Sequence, residues 1–247
     1  MSSLYLDFGN TRLKWRIDEN DVQSVAYADF EQWFSSCISS HDTALIVFAS
    51  VLGEQRQHPY TAAMKQLKGN AVKRCVVTAE ALGVRCAYRD LGRLGIDRWL
   101  AVLAAWSRTG DACVVVDLGT AATLDCVDDS GQHLGGYIVS GLELSLKGLL
   151  AGTDNIKPDP AGFDEASLMP GVNTAQAIYH GALHGLVALI ESSYQNLLKS
   201  FPKAKLILAG GDAALVGSHL YSPCERVDDL VFEGMQLLEK AGLLIDA

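Results

Sequence analysis

Two short stretches of the sequence share one arrangement of an acidic residue, a glycine and small polar residues. They are residues 4–11 and 114–121, nearly half the chain apart, and in each an apolar run leads to an aspartate, Asp7 or Asp117. The apolar run suits a buried strand, and the glycine two positions after the aspartate permits a tight turn. Backbone N–H groups and a hydroxyl in such a turn can hold phosphate, while the carboxylate can reach Mg²⁺. The duplication predicts two loops that hold the phosphates of a nucleotide from both sides.

A third acidic residue, Asp97, precedes a strongly apolar stretch and stands next to Arg98. It can be the N-cap of a helix, because an aspartate side chain accepts hydrogen bonds from the first N–H groups of a helix. It can also be a catalytic carboxylate in a pocket lined by glycine, where it would take a proton from a substrate. The spacing of the residues does not decide between these two roles.

The segment Gly210, Gly211, Asp212 follows another apolar, strand-like run. A double glycine lets the backbone approach a flat ligand such as adenine. The alternative is a plain strand-to-helix turn with Asp212 as the N-cap, and the segment taken alone favours this alternative. The two phosphate-type loops shift the balance towards a nucleotide contact.

Several common motifs are absent from the sequence. It has no Walker A motif, no G-x-G-x-x-G after a strand and no G-x-S-x-G, so a P-loop enzyme, a dinucleotide site and a serine hydrolase have no support. His180 and His184 have the spacing of zinc ligands on a helix, but a third ligand is not evident. Gly181 and Gly185 share that spacing, and we expect them to allow close helix packing.

The elements that must position these residues follow from the apolar patterns and the turn residues. In the first half we expect strands at 4–7, 13–17, 22–27, 44–49 and 73–77, and helices at 29–39 and 54–68. Three strands joined by short turns and then extended through helices predict a mixed sheet with helices on its faces.

The second half repeats this design. After a helix at 99–107, which ends the first half, we expect strands at 113–117, 123–127, 133–139 and 205–209, and helices at 141–150, 174–199, 213–219 and 230–242. Asn173 and Gln176 resemble a capping box at the start of the longest helix. Residues 152–172, rich in proline and glycine, are expected to form a mobile excursion or lid. The repeat predicts two α/β domains, residues 1–110 and 111–247.

The composition is that of a globular protein without a broad basic surface. Hydrophobic residues make up 49% of the 247 residues, and the net charge is −9 with a pI near 5.1. We therefore expect no nucleic-acid or membrane partner. An anionic ligand needs a local group of cations, which the residues near the motifs offer: Arg12, Lys14, Arg16, Arg93 and Arg98.

The cysteines and the apolar stretches are typical of a reduced, cytoplasmic protein. The six cysteines form no C-x-x-C pair, so a zinc ribbon or a thioredoxin-type site has no support. Cys113 and Cys126 lie in apolar runs and are expected to be core thiols. A strand beginning by Leu4 leads us to expect no signal peptide, and the longest apolar stretches are too short to span a bilayer.

With these motifs together, the chain resembles the type III pantothenate kinases, a family of the acetate kinase, sugar kinase, Hsp70 and actin superfamily. The resemblance covers nearly the whole chain and is carried by residues 7–15, 94–99, 117–123, 133–138 and 174–178. The phosphate loops mark the superfamily alone. The Gly-x-Asp-Arg segment that ends at Arg98 and the Thr-Ala-x-Ala segment that begins at Thr174 are much more specific to the family.

The resemblance implies a fold, an activity and an assembly. The fold is two duplicated actin-like (ribonuclease H-like) domains, each a mixed sheet flanked by helices, with a nucleotide cleft between them. The activity is ATP-dependent phosphorylation of pantothenate to 4'-phosphopantothenate, the first step of coenzyme A biosynthesis. The family is homodimeric, with its substrate pocket near the subunit interface.

The resemblance also implies roles for individual residues. ATP, with Mg²⁺, would contact Asp7, Phe8, Gly9, Asn10, Thr11, Arg12, Leu13, Lys14 and Thr120. Pantothenate would be held by Tyr88, Gly95, Ile96, Asp97, Arg98 and Thr174. Asp97 would be the general base on the hydroxyl, Asp117 would lie at a monovalent cation site for K⁺ or NH₄⁺, and Asp7 would bind Mg²⁺ directly or through water.

One departure from the family pattern is visible, and two other functions remain open. The family usually has Pro-Gly where this chain has Ser140 and Gly141, which puts the stiffness of that turn in doubt. The alternatives are a superfamily kinase for another small alcohol or acid, and an accessory or regulatory protein of the same fold. The group of Tyr88, Asp97, Arg98 and Thr174 argues against the first alternative. The presence of both phosphate-loop aspartates and of Asp97 argues against the second, although a shared fold alone does not establish kinase activity.

Overall fold

The computed structural model describes residues 2–68, 71–153, 158–159 and 166–247 of the chain. Its strands are β1 (Ser2–Phe8), β2 (Leu13–Ile17), β3 (Gln23–Val25), β4 (Thr43–Ser50), β5 (Val72–Arg74), β6 (Glu80–Ala81), β7 (Val84–Arg85), β8 (Cys113–Leu118), β9 (Ala121–Val127), β10 (His133–Ser140), β11 (Lys205–Ala209), β12 (Glu225–Arg226) and β13 (Ile245–Asp246). Its α-helices are α1 (Phe30–Ser40), α2 (Glu54–Lys68), α3 (Ile96–Thr109), α4 (Leu142–Ala151), α5 (Thr174–Ser200), α6 (Ala213–Gly217) and α7 (Leu230–Lys240).

The chain divides into two compact units. The first unit consists of Met1–Ser107 together with Asp229–Ala247, and the second is Arg108–Asp228. The division after residue 107 lies close to the predicted domain boundary at residue 110. The prediction assigned residues 229–247 to the second domain, 111–247, but in the structure they belong to the first unit.

The two units repeat one strand order, as the duplicated motif predicts. The sheet of the first unit has the order β13-β5-β4-β1-β2-β3, and that of the second has the order β10-β9-β8-β11-β12. In each, the motif strand, β1 or β8, lies between an antiparallel hairpin partner and a parallel neighbour. Both sheets are therefore mixed, which confirms the predicted α/β architecture. The short strands β6 and β7 pair separately.

Alternation along β1 directs its side chains to the two faces of the sheet in the first unit. Leu4, Leu6 and Phe8 are fully buried and pack with apolar side chains of α1, α2, β2 and β4. Burial of each such side chain contributes about 1.5–3 kcal/mol. Asp7 alternates with Leu6 and Phe8 and therefore points to the opposite face of the sheet.

The C-terminal helix α7 packs on that opposite face. It contacts β1 and β4, and a Cβ atom at Gly234 would lie 2.3 Å from the carbonyl oxygen of Leu100 in α3. The buried guanidinium of Arg16 lies 3.3 Å from the Asp229 carboxylate and 5.3 Å from the centre of the Phe232 ring. This backbone contact and this ion pair explain why the C-terminal segment belongs to the first unit.

Helices α4, α5 and α6 cover one face of the sheet in the second unit. Their apolar side chains pack with those of β8, β9 and β11 in a single core. Within this unit the buried carboxylate of Glu191 accepts hydrogen bonds from the backbone N–H groups of Tyr221 and Ser222, at 2.9 and 3.0 Å, and from the Ser222 hydroxyl at 2.6 Å. Helix α5 therefore anchors the segment that follows α6.

The predicted elements are present, and most of their bounds differ by a few residues. The strand expected at 73–77 is the shorter β5, and the edge strands β12 and β13 were not predicted, because a two-residue strand has no periodic pattern. Residues 154–157 and 160–165 of the expected lid lie outside the described residues.

Two further expectations concern membranes and thiols. Within the described ranges, no helix combines the length and the apolar character that crossing a membrane requires.

Cys113 is fully buried and Cys126 is half-buried. Burial raises the pKa of the Cys113 thiol to about 12 and that of Cys126 to about 11, so both remain protonated at neutral pH. Both are core thiols, as predicted.

Candidate active site

The first phosphate loop, residues 9–12, connects β1 to β2 in the first unit. Asp7, 9% exposed, lies one residue before the end of β1, and its direct partner across the antiparallel pair is Lys14. Directly opposed side chains lie on the same face of a sheet. The structure therefore places a carboxylate and an ammonium group on the same face of the sheet, next to the loop.

Two residues that the sequence analysis did not single out contact this loop. The Tyr27 hydroxyl donates a hydrogen bond to the carbonyl oxygen of Gly9, and the Arg56 guanidinium donates one to that of Asn10 at 3.1 Å. Tyr27 belongs to a 3₁₀ turn and Arg56 to α2. No local pattern marks either residue, because the contacts join segments far apart in the sequence.

The second phosphate loop, between β8 and β9, lies against two glycines of the second unit. The N–H of Gly141 donates to the carbonyl oxygen of Thr120 at 3.0 Å. A Cβ atom at Gly141 would lie 2.2 Å from the carbonyl oxygen of Gly119. A Cβ atom at Gly210, whose φ is +93°, would lie 2.5 Å from Oδ1 of Asp117. The double glycine and the second loop therefore form one site within this unit.

The departure at Ser140 has a structural compensation. Its Oγ atom lies 2.7 Å from Oγ of Ser145, in the first turn of α4. This hydroxyl pair connects the turn to the helix that follows it, where the family pattern has a proline ring.

Asp212 stands at the N-cap position of α6, but its side chain accepts no capping hydrogen bond from the described residues. Burial, with a smaller contribution from the nearby Glu143 carboxylate, raises the pKa of Asp212. The capping role that the sequence segment alone favours is therefore not observed. The backbone of Asp212 adjoins the end of β8, since its N–H donates to the carbonyl oxygen of Leu118 at 3.1 Å.

Asp97 lies inside the first turn of α3, which begins at Ile96, so it is not the residue before the helix. Its Oδ1 atom accepts a hydrogen bond from the N–H of Arg98 at 2.8 Å. A Cβ atom at Gly95 would lie 2.5 Å from the same oxygen. Gly95 is a predicted substrate contact, and in the structure its lack of a side chain also leaves space for the Asp97 carboxylate.

Arg98 and Tyr88 form a pair beside Asp97. Arg98 is 5% exposed, and its guanidinium donates a hydrogen bond to the Tyr88 hydroxyl at 3.1 Å and lies 5.7 Å from the centre of that ring. A buried guanidinium held by a tyrosine has a fixed direction, which suits recognition of a planar carboxylate. The first unit thus brings Tyr88, Asp97 and Arg98 together.

Thr174, the remaining predicted substrate contact, is the first residue of α5 in the second unit. The Asn173 side chain caps this helix by accepting a hydrogen bond from the N–H of Gln176 at 3.0 Å. The Gln176 side chain accepts from the N–H of Val172 at 3.1 Å. The capping arrangement is as predicted, except that the glutamine reaches one residue further back.

Two of the candidate cations, Arg16 and Arg93, form ion pairs with other residues. Arg16 is buried and paired with Asp229, so it is a structural cation and not a ligand for an anion. Arg93 is exposed and lies 3.6 Å from Asp90. Lys14 and Arg12, both exposed, remain next to the first loop.

The two histidines of α5 contact backbone carbonyl oxygens. Nδ1 of His180 lies 2.8 Å from the oxygen of Met169, and Nδ1 of His184 lies 3.1 Å from that of Leu168. The part of the chain that the structure describes contains no group of three or more potential metal-binding side chains. Gly181 and Gly185 are not at a close helix contact within the chain, since a Cβ atom at either meets nothing within 4 Å.

The oxygen atoms at the two loops fit hard cations. Mg²⁺ in phosphoryl-transfer sites is held by one or two carboxylates together with substrate phosphates and water, so a single carboxylate at Asp7 is a sufficient protein ligand. Asp117 offers a carboxylate beside the carbonyl-rich second loop, and oxygen donors also suit a monovalent cation. Each loop, taken by itself, therefore offers oxygen donors of the type that such cations bind.

Comparison with known proteins identifies a family. A family profile described as type III pantothenate kinase matches residues 3–196. A type III pantothenate kinase of Chromohalobacter salexigens is 36% identical over 256 residues, covering 99% of this chain and 91% of that protein. A second one, from Pseudomonas aeruginosa, is 38% identical over 243 residues, covering 95% of this chain and 97% of that protein.

Solved structures identify the fold. A putative Baf family transcriptional activator from Campylobacter jejuni matches with a TM-score of 0.65 and 22% identity, over 97% of this chain and 98% of that one. A putative 2-dehydro-3-deoxygalactonokinase from Sinorhizobium meliloti matches with a TM-score of 0.54 and 12% identity, over 97% and 96%. Likenesses at these identities concern the fold alone, and they confirm the predicted actin-like domains.

Proposed function

The chain belongs to the type III pantothenate kinase family and phosphorylates pantothenate at the expense of ATP, and we propose which of its residues carry out this reaction. The observation that carries the function is the extent of the match, because relatives of this name align with nearly the whole chain. The reaction needs in-line positioning, neutralisation of phosphate charge and removal of a hydroxyl proton.

ATP binds to the two phosphate loops. In the first, the backbone of residues 8–13 and the side chains of Asp7 and Lys14 contact the phosphates. In the second, Thr120 does so. The opposed Asp7 and Lys14 support this assignment, because Lys14 neutralises phosphate charge while Asp7 holds Mg²⁺, directly or through water. The metal ion, when bound, withdraws charge from the γ-phosphate.

Pantothenate binds beside the start of α3. Arg98, oriented by Tyr88, holds the carboxylate of pantothenate, and Gly95, Ile96 and Thr174 complete its contacts. Asp97 accepts the proton of the primary hydroxyl as the bond to phosphorus forms. The support for this role is the fixed position of the Asp97 carboxylate, held by the N–H of Arg98 above a residue without a side chain.

A monovalent cation, K⁺ or NH₄⁺, lies near Asp117 and neutralises charge on the phosphates. The support is chemical, because the carboxylate of Asp117 and the carbonyl oxygens of the adjoining loop are the ligand types that such cations take. The tight packing of Gly210 on Asp117 fixes the direction of this carboxylate.

The protein is cytoplasmic, a location that the family's metabolic role supports.

The protein is also a homodimer that associates through the second unit. Leu134, Tyr137 and Ile138 of β10 are 50%, 54% and 63% exposed, and β10 is the edge strand of its sheet. Helix α4 packs against both β10 and α5 and adds the exposed side chains of Leu144 and Leu149. An exposed apolar sheet edge of this kind is typical of an interface.

Substrate identity is tested with a coupled assay of ADP release. Purified protein is given ATP, Mg²⁺ and K⁺ with pantothenate, or with a panel of small acids and alcohols in its place. We expect ADP release that depends on pantothenate and yields 4'-phosphopantothenate by mass spectrometry. Faster turnover with another acceptor would favour a different superfamily kinase, and no turnover with any acceptor would favour an accessory protein.

A further inference from the structure

We propose that Tyr27 and Arg56 are positioning residues that orient the backbone N–H groups of the first phosphate loop towards the phosphates of ATP. This inference rests on the proposed ATP contacts of that loop. Neither residue belongs to the strands that carry the loop, and both contact it through its backbone carbonyl oxygens. Their effect on the ligand is therefore indirect.

The contacts cover the whole turn. The Tyr27 hydroxyl donates to the carbonyl oxygen of Gly9 and lies 3.4 Å from that of Arg12, so it stands between the two ends of the turn. The Arg56 guanidinium donates to the carbonyl oxygen of Asn10 at 3.1 Å. A Cβ atom at Gly9 would lie 3.2 Å from the Arg12 oxygen, so the turn is closed tightly around the hydroxyl.

Peptide geometry converts these contacts into an orientation of N–H groups. In a planar trans peptide the C=O of one residue and the N–H of the next point in opposite directions. Because the oxygens of Gly9 and Asn10 point to Tyr27 and Arg56, the N–H groups of Asn10 and Thr11 point away from them. Successive N–H groups that share a direction form an anion-binding concavity.

The two positioning residues hold each other in place. The Arg56 guanidinium lies 4.9 Å from the centre of the Tyr27 ring, within the range of a cation–π contact. The Tyr27 ring stacks on that of Phe8, with centres 6.4 Å apart, and lies 5.4 Å from Tyr60. Burial is the main reason that the pKa of Tyr27 rises to about 12, so its hydroxyl keeps the proton that it donates.

A purely structural alternative makes a different prediction. If the two residues only fasten the hairpin of β1 and β2, their loss should lower the melting temperature and impair every kinetic constant together. If they orient the loop, their loss should weaken ATP binding selectively. Arg56 is exposed and Tyr27 is half-buried, so removal of their polar groups leaves no cavity in the core.

The test uses matched substitutions in the full-length protein. Tyr27→Phe removes the hydroxyl that donates to the loop. Tyr60→Phe is its control, because the Tyr60 ring belongs to the same aromatic cluster but, in the described part of the chain, its hydroxyl makes no hydrogen bond to the loop. Arg56→Gln removes the charge, Arg56→Lys keeps it, and Lys65→Gln removes an exposed charge from the same helix. The measurements are the Kd of Mg·ATP by calorimetry without pantothenate, the KM of each substrate, kcat and the melting temperature.

We expect Tyr27→Phe and Arg56→Gln to raise the Kd and KM for ATP about tenfold, roughly the effect of one hydrogen bond. Arg56→Lys should recover part of this loss, and the KM for pantothenate and the melting temperature should stay near the parent values. Unchanged ATP affinity in both variants, or a parallel loss of stability and of all kinetic constants, would overturn the inference. If the parent protein binds ATP but does not phosphorylate pantothenate, the proposed function is refuted. The inference about Tyr27 and Arg56 can still be tested, because the Kd of Mg·ATP can be compared between the parent and the variants.

Discussion

Oδ1 of Asp97 occupies the space where a side chain at Gly95 would begin, 2.5 Å from the position of a Cβ atom there. The glycine and the carboxylate therefore form a single structural unit at the start of α3. Any residue larger than glycine at position 95 must displace the proposed general base. This relationship gives a test of the base that leaves Asp97 itself unchanged.

Gly95→Ala should lower kcat by about 10–100-fold, because a displacement of about 1 Å at a reacting group has an effect of this size. The KM for ATP should not change, since the first phosphate loop is not altered. Gly92→Ala is the matched control, because its Cβ atom would meet its nearest neighbour, Asp90 Oδ1, at an ordinary 3.4 Å. Equal kcat values for the two variants would contradict the prediction.

Asp97→Asn should fold and bind ATP but lose about 10²–10⁴-fold in turnover, the usual range for a general base. The side chain keeps its shape and can still accept the hydrogen bond from Arg98. Asp90→Asn is the control in the same segment, since Asp90 caps a 3₁₀ turn by accepting from the N–H of Gly92 at 3.1 Å. Turnover by folded Asp97→Asn within a few-fold of the parent would eliminate the catalytic assignment.

Asp117→Ala should weaken the stimulation by a monovalent cation and lower the activity at a given K⁺ concentration. We expect the parent to be active in K⁺ or NH₄⁺ and poorly active in sodium-only buffer. The variant should need at least about tenfold more K⁺, because it lacks the carboxylate ligand. Initial rates over a K⁺ titration measure this. Equal parent rates in sodium and potassium would count decisively against a cation site.

Ile138→Lys should convert a homodimer into a monomer. The side chain is 63% exposed on edge strand β10, so a charge there disturbs an interface without disturbing the core. Light scattering at micromolar concentration should give half the mass of the parent. Leu67→Lys, which replaces a 52% exposed leucine on α2 in the first unit, should leave the mass unchanged. A monomeric parent would refute the dimer.

Asp212→Asn should raise the melting temperature at pH 7 slightly, by at most about 2 °C. The pKa of Asp212 is raised in the folded state, so the folded protein holds this proton more tightly than the unfolded chain. Stability therefore falls as pH rises from the ordinary aspartate value, 3.8, through the raised one. The gain of the Asn variant should disappear below pH about 4. A variant that melts below the parent at pH 7 would be contrary to this account.

Local pattern was sufficient for the motif strands and their aspartates. The apolar runs before Asp7 and Asp117 mark buried strands, and a glycine after each aspartate marks a turn, so both carboxylates could be assigned to strand ends. The same reasoning found the capped start of α5 from Asn173 and Gln176. These signals lie within a few residues of the group that they position.

The remaining features depend on contacts between distant segments. Arg16 looked like a phosphate ligand because it adjoins the first loop, but its partner is Asp229, at the other end of the chain. The hydroxyl of Tyr27 and the guanidinium of Arg56 reach the loop from separate elements. No periodicity within one strand or helix encodes such pairings, so the sequence alone could not predict them.

The membership of α7 in the first unit means that this unit is completed only when the end of the chain has been synthesised. The second unit is one continuous stretch that ends at Asp228, whereas the first unit is interrupted by that stretch and includes α7, which follows it in the sequence. All of the second unit is therefore synthesised before the residue that forms the pair of Arg16 with Asp229. A chain truncated after residue 228 would therefore leave the buried guanidinium of Arg16 without its carboxylate, and we expect the first unit to be destabilised although every residue of the second is present.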